Sequence, residues 1–317
     1  MKKALVVGIN HYPRANDLYG CVNDAKRVSQ LLKRNGDGSL NFDVKEMYGE
    51  DRAPNVTKND LKYEVRQLFS SNCEVALFYF AGHGYADENG GVILTSECET
   101  VDDGLAFNVI SNAIQTSKAQ NNIVILDCCQ AGAMGMNGMF GDNSIIPPNT
   151  TFLLACKANQ YSEENNGNGV FTDLFVDAIS GGAANLVGEI SPGSIYSYID
   201  RALGLWQQRP VFKTNVERFV SIRNVRAPIA LEDLRKITEF FPNINYDFPL
   251  DSSYEFTSPN ANRDNTRIFS ILQKYNRLNL VVPVGEEYMY YAAMNQKSCR
   301  LTPLGVHYWN LVDNERI

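Results

Sequence analysis

The chain has 317 residues, which exceeds one average domain and predicts a large domain with a smaller one. Hydrophobic residues make up 44% of it and charged residues 21%, an ordinary balance for a globular protein, and no apolar run is long enough to cross a membrane. The net charge of -7 argues against broad contact with nucleic acid or an anionic membrane, because both would repel the chain.

Roughly the first two-thirds of the chain alternate buried-type strands with amphipathic helices, the pattern of an α/β domain with a largely parallel sheet. The N-terminus begins like a signal peptide, but its apolar stretch is short and is interpreted as the first strand. Strands are predicted at 4–9, 42–47, 75–81, 123–127 and 152–155, with another near 218–222. Helices are predicted at 24–35, 57–69, 169–180 and 192–206. Two long loops, 131–149 and 159–169, complete this region.

The pattern changes after Ile222, and a boundary near residue 225 divides the chain into domains 1–225 and 226–317. The second domain is predicted to be a small α+β unit, for which a winged-helix-like arrangement would be suitable. Its net charge from Ile229 onward is -2, which argues against a DNA-reading role, because such a role needs a basic face. Tyr and Trp residues between 288 and 309 indicate either a protein-recognition surface or the core of this unit.

Two chemically active side chains follow central strands of the predicted sheet. His83, between Gly82 and Gly84, follows the strand at 75–81, and Cys129 follows the strand at 123–127. Open α/β sheets place their sites at the carboxyl ends of their strands, so we expect the imidazole and the thiol to lie together. This is the arrangement that a cysteine nucleophile needs, with a base for its proton and backbone N–H groups for an oxyanion. Without such a pairing, a cysteine at the end of a buried strand is more often a core residue.

Several ordered motifs resemble the caspase-like cysteine peptidases, and the metacaspase and bacterial branch more closely than the animal caspases. The resemblance spans about residues 3–223 and implies a caspase-like α/β/α sandwich around a central, mostly parallel six-stranded sheet. Its motifs are Ala4-Leu-Val-Val-Gly-Ile-Asn10, Leu18-Tyr-Gly-Cys-Val-Asn-Asp-Ala25, Phe78-Tyr-Phe-Ala-Gly-His-Gly-Tyr85, Asp127-Cys-Cys-Gln-Ala-Gly132, Gly169-Val-Phe-Thr172 and Gln208-Arg-Pro-Val-Phe212.

The resemblance implies a peptidase mechanism with a catalytic dyad. Cys129 resembles the nucleophile, since the family motif runs Asp-x-Cys, and His83 resembles the base that later protonates the leaving amine. The backbone N–H groups of Gly84 and Cys129 are implied to form the oxyanion hole. The family also implies regulatory or defence-related proteolysis, such as bacterial cell death.

The resemblance further implies an S1 pocket lined by Asp24, Asp127 and Cys21. Two carboxylates in one pocket repel each other unless a cation lies between them, so arginine or lysine is predicted at P1. Asp24 has an alternative interpretation as the cap of a helix that begins at Ala25. Ala81 stands where relatives often carry serine, which leaves the choice between arginine and lysine open.

No cofactor or metal is predicted, because the seven cysteines have no zinc-ligand spacing and the acidic pairs have no EF-hand spacing. Calcium dependence is left open. The cysteine usage fits a reducing, cytoplasmic compartment best. The partners predicted are a protein substrate and an activating protein or ligand acting through the C-terminal unit, with no nucleic acid and no membrane. Two other functions are considered, a catalytically silent scaffold of the same fold and a hydrolase or transferase acting on a small amide.

The loop at 131–149 contains no Lys or Arg, although many relatives are cut in this loop. If the peptidase selects basic P1 residues, the enzyme acts as one intact chain that a partner or ligand switches on. We therefore expect wild-type protein incubated alone to stay uncut between residues 131 and 149, as mapped by mass spectrometry beside Cys129→Ala. Cleavage within this loop in the wild type only would contradict the prediction.

Overall fold

A computed structural model of the protein describes residues 1–51, 53, 55–87, 90–128, 146–155, 164–165, 168–203 and 210–317. The chain divides into two compact units, Met1–Arg226 and Ala227–Ile317. The features of the sequence that fall outside the described residues are Cys129, the first loop up to residue 145, most of the loop 159–169, and Gln208 with Arg209.

The first unit alternates strands and helices along the chain. Its strands are β1 (Lys2–Ile9), β2 (Phe42–Gly49), β3 (Val75–Gly82), β4 (Gly84–Asp87), β5 (Gly90–Ile93), β6 (Leu105–Ala106), β7 (Asn121–Cys128), β8 (Thr150–Leu154), β9 (Glu164–Asn165), β10 (Asn168–Gly169), β11 (Glu189–Ile190), β12 (Val211–Asn215) and β13 (Arg223–Asn224). Its α-helices are α1 (Cys21–Lys33), α2 (Lys58–Ser70), α3 (Phe107–Gln115), α4 (Val170–Asp177) and α5 (Pro192–Ala202). A 3₁₀ turn at Val101–Asp103 and a π-helical turn at Ala178–Gly182 complete the list.

Six strands form the central sheet in the order β12-β8-β7-β3-β1-β2, and five of them run parallel while β12 runs antiparallel to β8. The residues of β3 alternate between the two faces of the sheet, as the pleat of a strand requires. Phe78 and Phe80 pack with α2 and α3 on one face, whereas Leu77 and Tyr79 pack with α1, α4 and α5 on the other. The predicted α/β/α sandwich with a mostly parallel six-stranded sheet is therefore confirmed.

One strand was predicted at the wrong place. The sixth strand is Val211–Asn215, not the segment near 218–222. Ile222 is buried in the core and its N–H donates to the Ile190 carbonyl at 2.7 Å, so its apolar character reflects this contact and not a strand of the central sheet. The true strand is half-buried at the sheet edge, so its sequence pattern is weaker.

The second unit is a small α+β structure. Its elements are α6 (Leu231–Arg235), α7 (Ile237–Phe240), β14 (Phe248–Pro249), a 3₁₀ turn (Ser252–Tyr254), α8 (Arg263–Arg277), β15 (Val281–Val284), α9 (Met289–Met294), β16 (Ser298–Leu301) and α10 (Pro303–Asp313). The three strands form an antiparallel sheet in the order β14-β16-β15. A helix, α9, lies in the connection between β15 and β16, so these two strands are not joined by a tight hairpin.

The aromatic residues of the second unit divide into two groups. Tyr288, Tyr290 and Tyr291 are exposed and contact one another, with the rings of Tyr290 and Tyr291 5.3 Å apart. They are not part of a core. Trp309 is half-buried and its Nε1 donates to the Phe241 carbonyl at 2.6 Å, which is a structural role.

Glycine at position 8 allows α1 to pack closely on β1. A Cβ at Gly8 would lie 2.5 Å from the Cys21 carbonyl oxygen and 2.7 Å from the Ala25 Cβ. Because real Cβ atoms do not approach backbone so closely, α1 can occupy this position only when residue 8 is glycine. The position of Cys21 and of the first turn of α1 depends on this contact.

We expect Gly8→Ala to lower the free energy of unfolding by about 1–3 kcal/mol through overpacking, as measured by chemical denaturation. Gly38→Ala is the matched control, since an added Cβ there meets no atom within 4 Å and only the positive φ of 85° opposes it. That backbone effect costs about 1–2 kcal/mol and would leave the packing of α1 unchanged. Wild-type stability for Gly8→Ala would contradict the close contact between α1 and β1.

Candidate active site

The parallel register of β3 and β7 defines one edge of the sheet. Ala81 pairs with Asp127 and Gly82 pairs with Cys128, so both strands end at the same level. His83 and Cys129 are the residues that directly follow these two ends in the chain. Cys129 itself lies outside the described residues. Cys128 is buried, and its side chain belongs to the core on the α2 and α3 face.

His83 is held by the segment between β1 and α1. The Asn16 carbonyl oxygen lies 2.7 Å from His83 Nε2, and because a carbonyl only accepts, Nε2 carries the hydrogen. Nδ1 is then the acceptor nitrogen of the neutral ring. The Tyr12 ring lies 4.7 Å from the imidazole, centroid to centroid. This segment therefore determines both the position and the tautomer of His83.

The hydroxyl of Tyr12 anchors the backbone at His83. It accepts the His83 N–H at 2.9 Å and donates to the Ile9 carbonyl at 3.3 Å. Burial, together with the nearby Cys21, raises the pKa of Tyr12 well above its usual range, so the hydroxyl keeps the proton that it donates. Gly82 allows this approach, since a Cβ there would lie 2.5 Å from the Tyr12 oxygen.

Gly84 begins a small antiparallel sheet, in which β4 pairs with β5 and β5 with β6. Gly84 pairs with Ile93, while the Leu94 N–H donates to the His83 carbonyl at 3.0 Å. In an antiparallel ladder this pattern makes Gly84 and Ile93 a pair that exchanges no hydrogen bonds. The N–H of Gly84 is therefore directed away from β5.

Cys21 and Asp24 lie in the first turn of α1. The helix begins at Cys21, so the alternative that Asp24 caps a helix beginning at Ala25 is wrong. The Asn10 side chain, at the end of β1, accepts the Val22 N–H at 3.0 Å and so supplies the cap that Gly20 cannot. This contact ties the first turn of α1 to the carboxyl edge of the sheet.

Asp24 is buried at 2% exposure and lies beside a cation from its own chain. Arg27 Nη1 is 3.3 Å from Asp24 Oδ1 and 2.5 Å from Asp173 Oδ1, the latter in the first turn of α4. The guanidinium thus connects α1 with α4. The sequence motifs did not predict either Arg27 or Asp173 at this position.

Asp127 is buried at 6% exposure and receives a hydrogen bond from Thr172 Oγ1 at 2.7 Å. Tyr79, on the adjacent strand, lies 2.6 Å from the same Thr172 oxygen. Burial, followed by the charges of Asp127 and Asp24, raises the pKa of Tyr79 well above its usual range, and Cys21 contributes in the same direction. Asp127 and Tyr79 thus both contact Thr172, and Asp24 and Cys21 are near enough to influence the Tyr79 phenol electrostatically.

The other histidine of this region, His11, has a local partner. Its Nδ1 lies 3.1 Å from Asp17 Oδ2, close enough for an ion pair when His11 is protonated, although the groups are not aligned for a hydrogen bond. Within the described parts of the chain, no three His, Cys, Asp or Glu side chains form a metal-ligand group. Among the described residues, Cys21, Cys73, Cys98, Cys128 and Cys299 are buried and form no disulfide bond.

Comparison with known protein families gives a match over most of the first unit. Residues 1–220 match the peptidase family C14, described as the caspase domain. The chain belongs to this caspase-domain family. The caspase domain thus accounts for nearly the whole of the first unit.

Curated relatives of the caspase domain are metacaspases. Metacaspase-5 of Trypanosoma brucei brucei is 34% identical over 98 residues, which are 28% of this chain and 18% of that protein. Metacaspase-1 of Plasmodium falciparum is 30% identical over 152 residues, which are 42% of this chain and 24% of that protein. The matches therefore span less than a quarter of these relatives' own lengths.

Solved structures superpose on this chain at low sequence identity. A protein from Geobacter sulfurreducens superposes with a TM-score of 0.51 at 17% identity, covering 71% of this chain and 100% of that one. Caspase-1 from Spodoptera frugiperda gives a TM-score of 0.49 at 13% identity, covering 71% and 90%. No helix in the described ranges of this chain is both long and apolar enough to cross a bilayer.

We expect Tyr12→Phe to lower the free energy of unfolding by about 1–3 kcal/mol, because the His83 N–H loses its acceptor in a largely buried place. Thermal or chemical denaturation measures the change. Tyr63→Phe, at a 60% exposed tyrosine on α2, is the matched control and should leave stability unchanged. Equal stability of the two variants would show that the Tyr12 hydroxyl does not anchor the histidine.

Proposed function

We propose that the caspase domain is a cysteine endopeptidase that cleaves protein substrates after arginine or lysine, with Cys129 as nucleophile and His83 as base. The observation that supports this proposal most directly is the register of β3 and β7. It brings His83 and the residue preceding Cys129 to one edge of the sheet, beside the buried carboxylates of Asp24 and Asp127.

The proposed reaction proceeds in two steps. The Cys129 thiol gives its proton to Nδ1 of His83, and the thiolate attacks the scissile carbonyl. The imidazolium then protonates the leaving amine as the C–N bond breaks, which leaves a thioester. Water, deprotonated by His83, hydrolyses the thioester and releases the carboxylate product. Thiol, imidazole and water supply all of this chemistry, so the reaction needs no cofactor.

The oxyanion that forms in both steps requires backbone donors. Gly84 is suited to this role because its N–H is directed away from the β4–β5 ladder. We propose the Cys129 N–H as the second donor. Asn16 supports the same mechanism, because its carbonyl holds the hydrogen on Nε2 and leaves Nδ1 to accept the thiol proton.

We propose that Asp127, Asp24 and Cys21 form the S1 pocket. The two buried carboxylates would attract a guanidinium or ammonium group at P1. They would repel an acidic P1 side chain. Arg27 already offsets part of the charge of Asp24. We propose that Asp127, which Thr172 Oγ1 orients through a hydrogen bond, contacts the P1 cation directly.

The second unit is proposed to recognise a protein partner or an activator. Its exposed Tyr288, Tyr290 and Tyr291 cluster supplies aromatic contact area of the kind that protein interfaces favour. The described cysteines form no disulfide bond, which fits a reducing compartment, so we propose a cytoplasmic location. Regulatory or defence-related proteolysis is the biological role that we propose.

We expect wild-type protein to hydrolyse fluorogenic peptides with arginine or lysine at P1 at least a hundredfold faster than the same peptides with aspartate, since two pocket carboxylates repel an acidic side chain. Hydrolysis by Cys129→Ala should be undetectable. Cys128→Ala is the matched control, because it removes the adjacent thiol.

Preference for aspartate at P1 would refute the acidic pocket, and activity in Cys129→Ala would remove Cys129 from the mechanism. A folded wild-type protein that cleaves none of the peptides, while still binding a partner, would support the catalytically silent scaffold instead.

A further inference from the structure

A buried threonine on α4 has a direct contact with the proposed pocket, and the peptidase mechanism gives it no role. Thr172 is fully buried, and its Oγ1 donates to Asp127 Oδ2 at 2.7 Å. Its single hydroxyl proton is used in that bond. Tyr79, 2.6 Å away, must therefore donate to Thr172. The two hydroxyl groups form a chain, Tyr79 to Thr172 to Asp127, in which every proton points towards the carboxylate.

The direction of this chain matters because Asp127 is only 6% exposed. Burial favours the neutral form of a carboxyl group, whereas a donor hydrogen bond favours the charged form and fixes its orientation. Hydroxyl groups in series polarise one another, so the Tyr79 donor strengthens the bond that Thr172 makes. The high pKa of Tyr79 keeps this donor protonated.

The same turn of α4 also reaches the second pocket acid. Asp173, the next residue, holds the Arg27 guanidinium at 2.5 Å, and that guanidinium lies 3.3 Å from Asp24. Two adjacent residues of one helix turn thus contact Asp127 directly and Asp24 through Arg27. Contacts to both acids indicate more than a single packing hydrogen bond.

We propose that Thr172, supported by Tyr79, is a positioning residue that keeps the Asp127 carboxylate charged and oriented for a basic P1 side chain. The inference rests on the proposed function, because it assigns a support to the same S1 pocket. Thr172 touches neither the substrate nor the reacting atoms. Its effect should therefore appear in the binding of the P1 cation and not in the chemistry at Cys129.

The test compares Thr172→Val, Thr172→Ser and Tyr79→Phe with wild type on a P1-arginine peptide. Thr172→Val keeps the shape and removes the donor, and it should raise KM about tenfold to a hundredfold, as expected for a hydrogen bond to a charged group, with kcat within about threefold. Thr172→Ser restores the hydroxyl and should return KM to within about threefold of wild type. Tyr79→Phe should raise KM about fivefold, the usual effect of a neutral hydrogen bond.

Thr151→Val is the matched control for the loss of a buried threonine hydroxyl. Thr151 is buried, and its Oγ1 forms a hydrogen bond with Thr214 Oγ1 at 2.9 Å. It pairs with Ile123 near the amino-terminal ends of β7 and β8. The KM of the Thr151→Val variant should stay at the wild-type value. An unchanged KM in Thr172→Val, or a fall in kcat alone that Thr172→Ser does not restore, would overturn the proposal. If Thr172→Val fails to fold, Tyr79→Phe decides, and an unchanged KM there overturns it.

A binding measurement separates this inference from the proposed peptidase activity. Calorimetry with N-acetyl-arginine amide on Cys129→Ala, with and without Thr172→Val, reports the cation site without turnover. Weaker binding with Thr172→Val supports the inference even if the wild type cleaves no peptide, in which case only the proposed activity fails. Equal binding by the two proteins overturns the inference, whatever the peptidase assay shows.

Discussion

The parallel register between β3 and β7 is the constraint on which the rest of the site depends. It sets Ala81 beside Asp127 and Gly82 beside Cys128, so β3 and β7 end at the same edge of the sheet. Because side chains alternate across a sheet, a shift of one residue would exchange the faces of Tyr79 and Phe80. Tyr79 would then leave the side that α1 and α4 cover, while Asp127 on β7 would remain there. Such a shift would also exchange Phe78 and Phe80, which pack in one core, with Leu77 and Tyr79, which pack in the other.

Different segments of the chain position His83 and the acidic side chains at this edge of the sheet. The chain after β1 supplies the contacts that hold His83, through Tyr12 and Asn16, before it continues into α1. Helices α1 and α4 surround the acidic side chains on one face of the sheet. The His83 ring is therefore oriented by the Asn16 carbonyl and not by Asp24 or Asp127.

Strands β1, β3, β7 and β8 could be predicted because each is a short run of largely buried residues, and the edge carrying His83 followed from their parallel order. The edge strand β12 could not, since Val211 to Asn215 are at most half-buried and carry little pattern. The contacts that support the acidic side chains could also not be predicted from the sequence. Thr172 and Asp127 are 45 residues apart, and Arg27 and Asp173 are 146 apart, so only the folded chain joins them. The motif containing Thr172 was recognised, but a motif does not state which neighbour its hydroxyl contacts.

The position of Arg27 matters for the proposed S1 pocket, in which the side chains of two acids are buried. Arg27 is shared between Asp24 and Asp173, so its positive charge belongs to neither acid alone. Arg27 lies closer to Asp173, at 2.5 Å, than to Asp24, at 3.3 Å, and the longer distance exceeds that of a strong charge-assisted bond. A cationic side chain that approaches Asp24 can therefore replace Arg27 there without depriving the guanidinium of its better partner. Arg27 and a basic P1 residue are therefore compatible in the proposed S1 pocket.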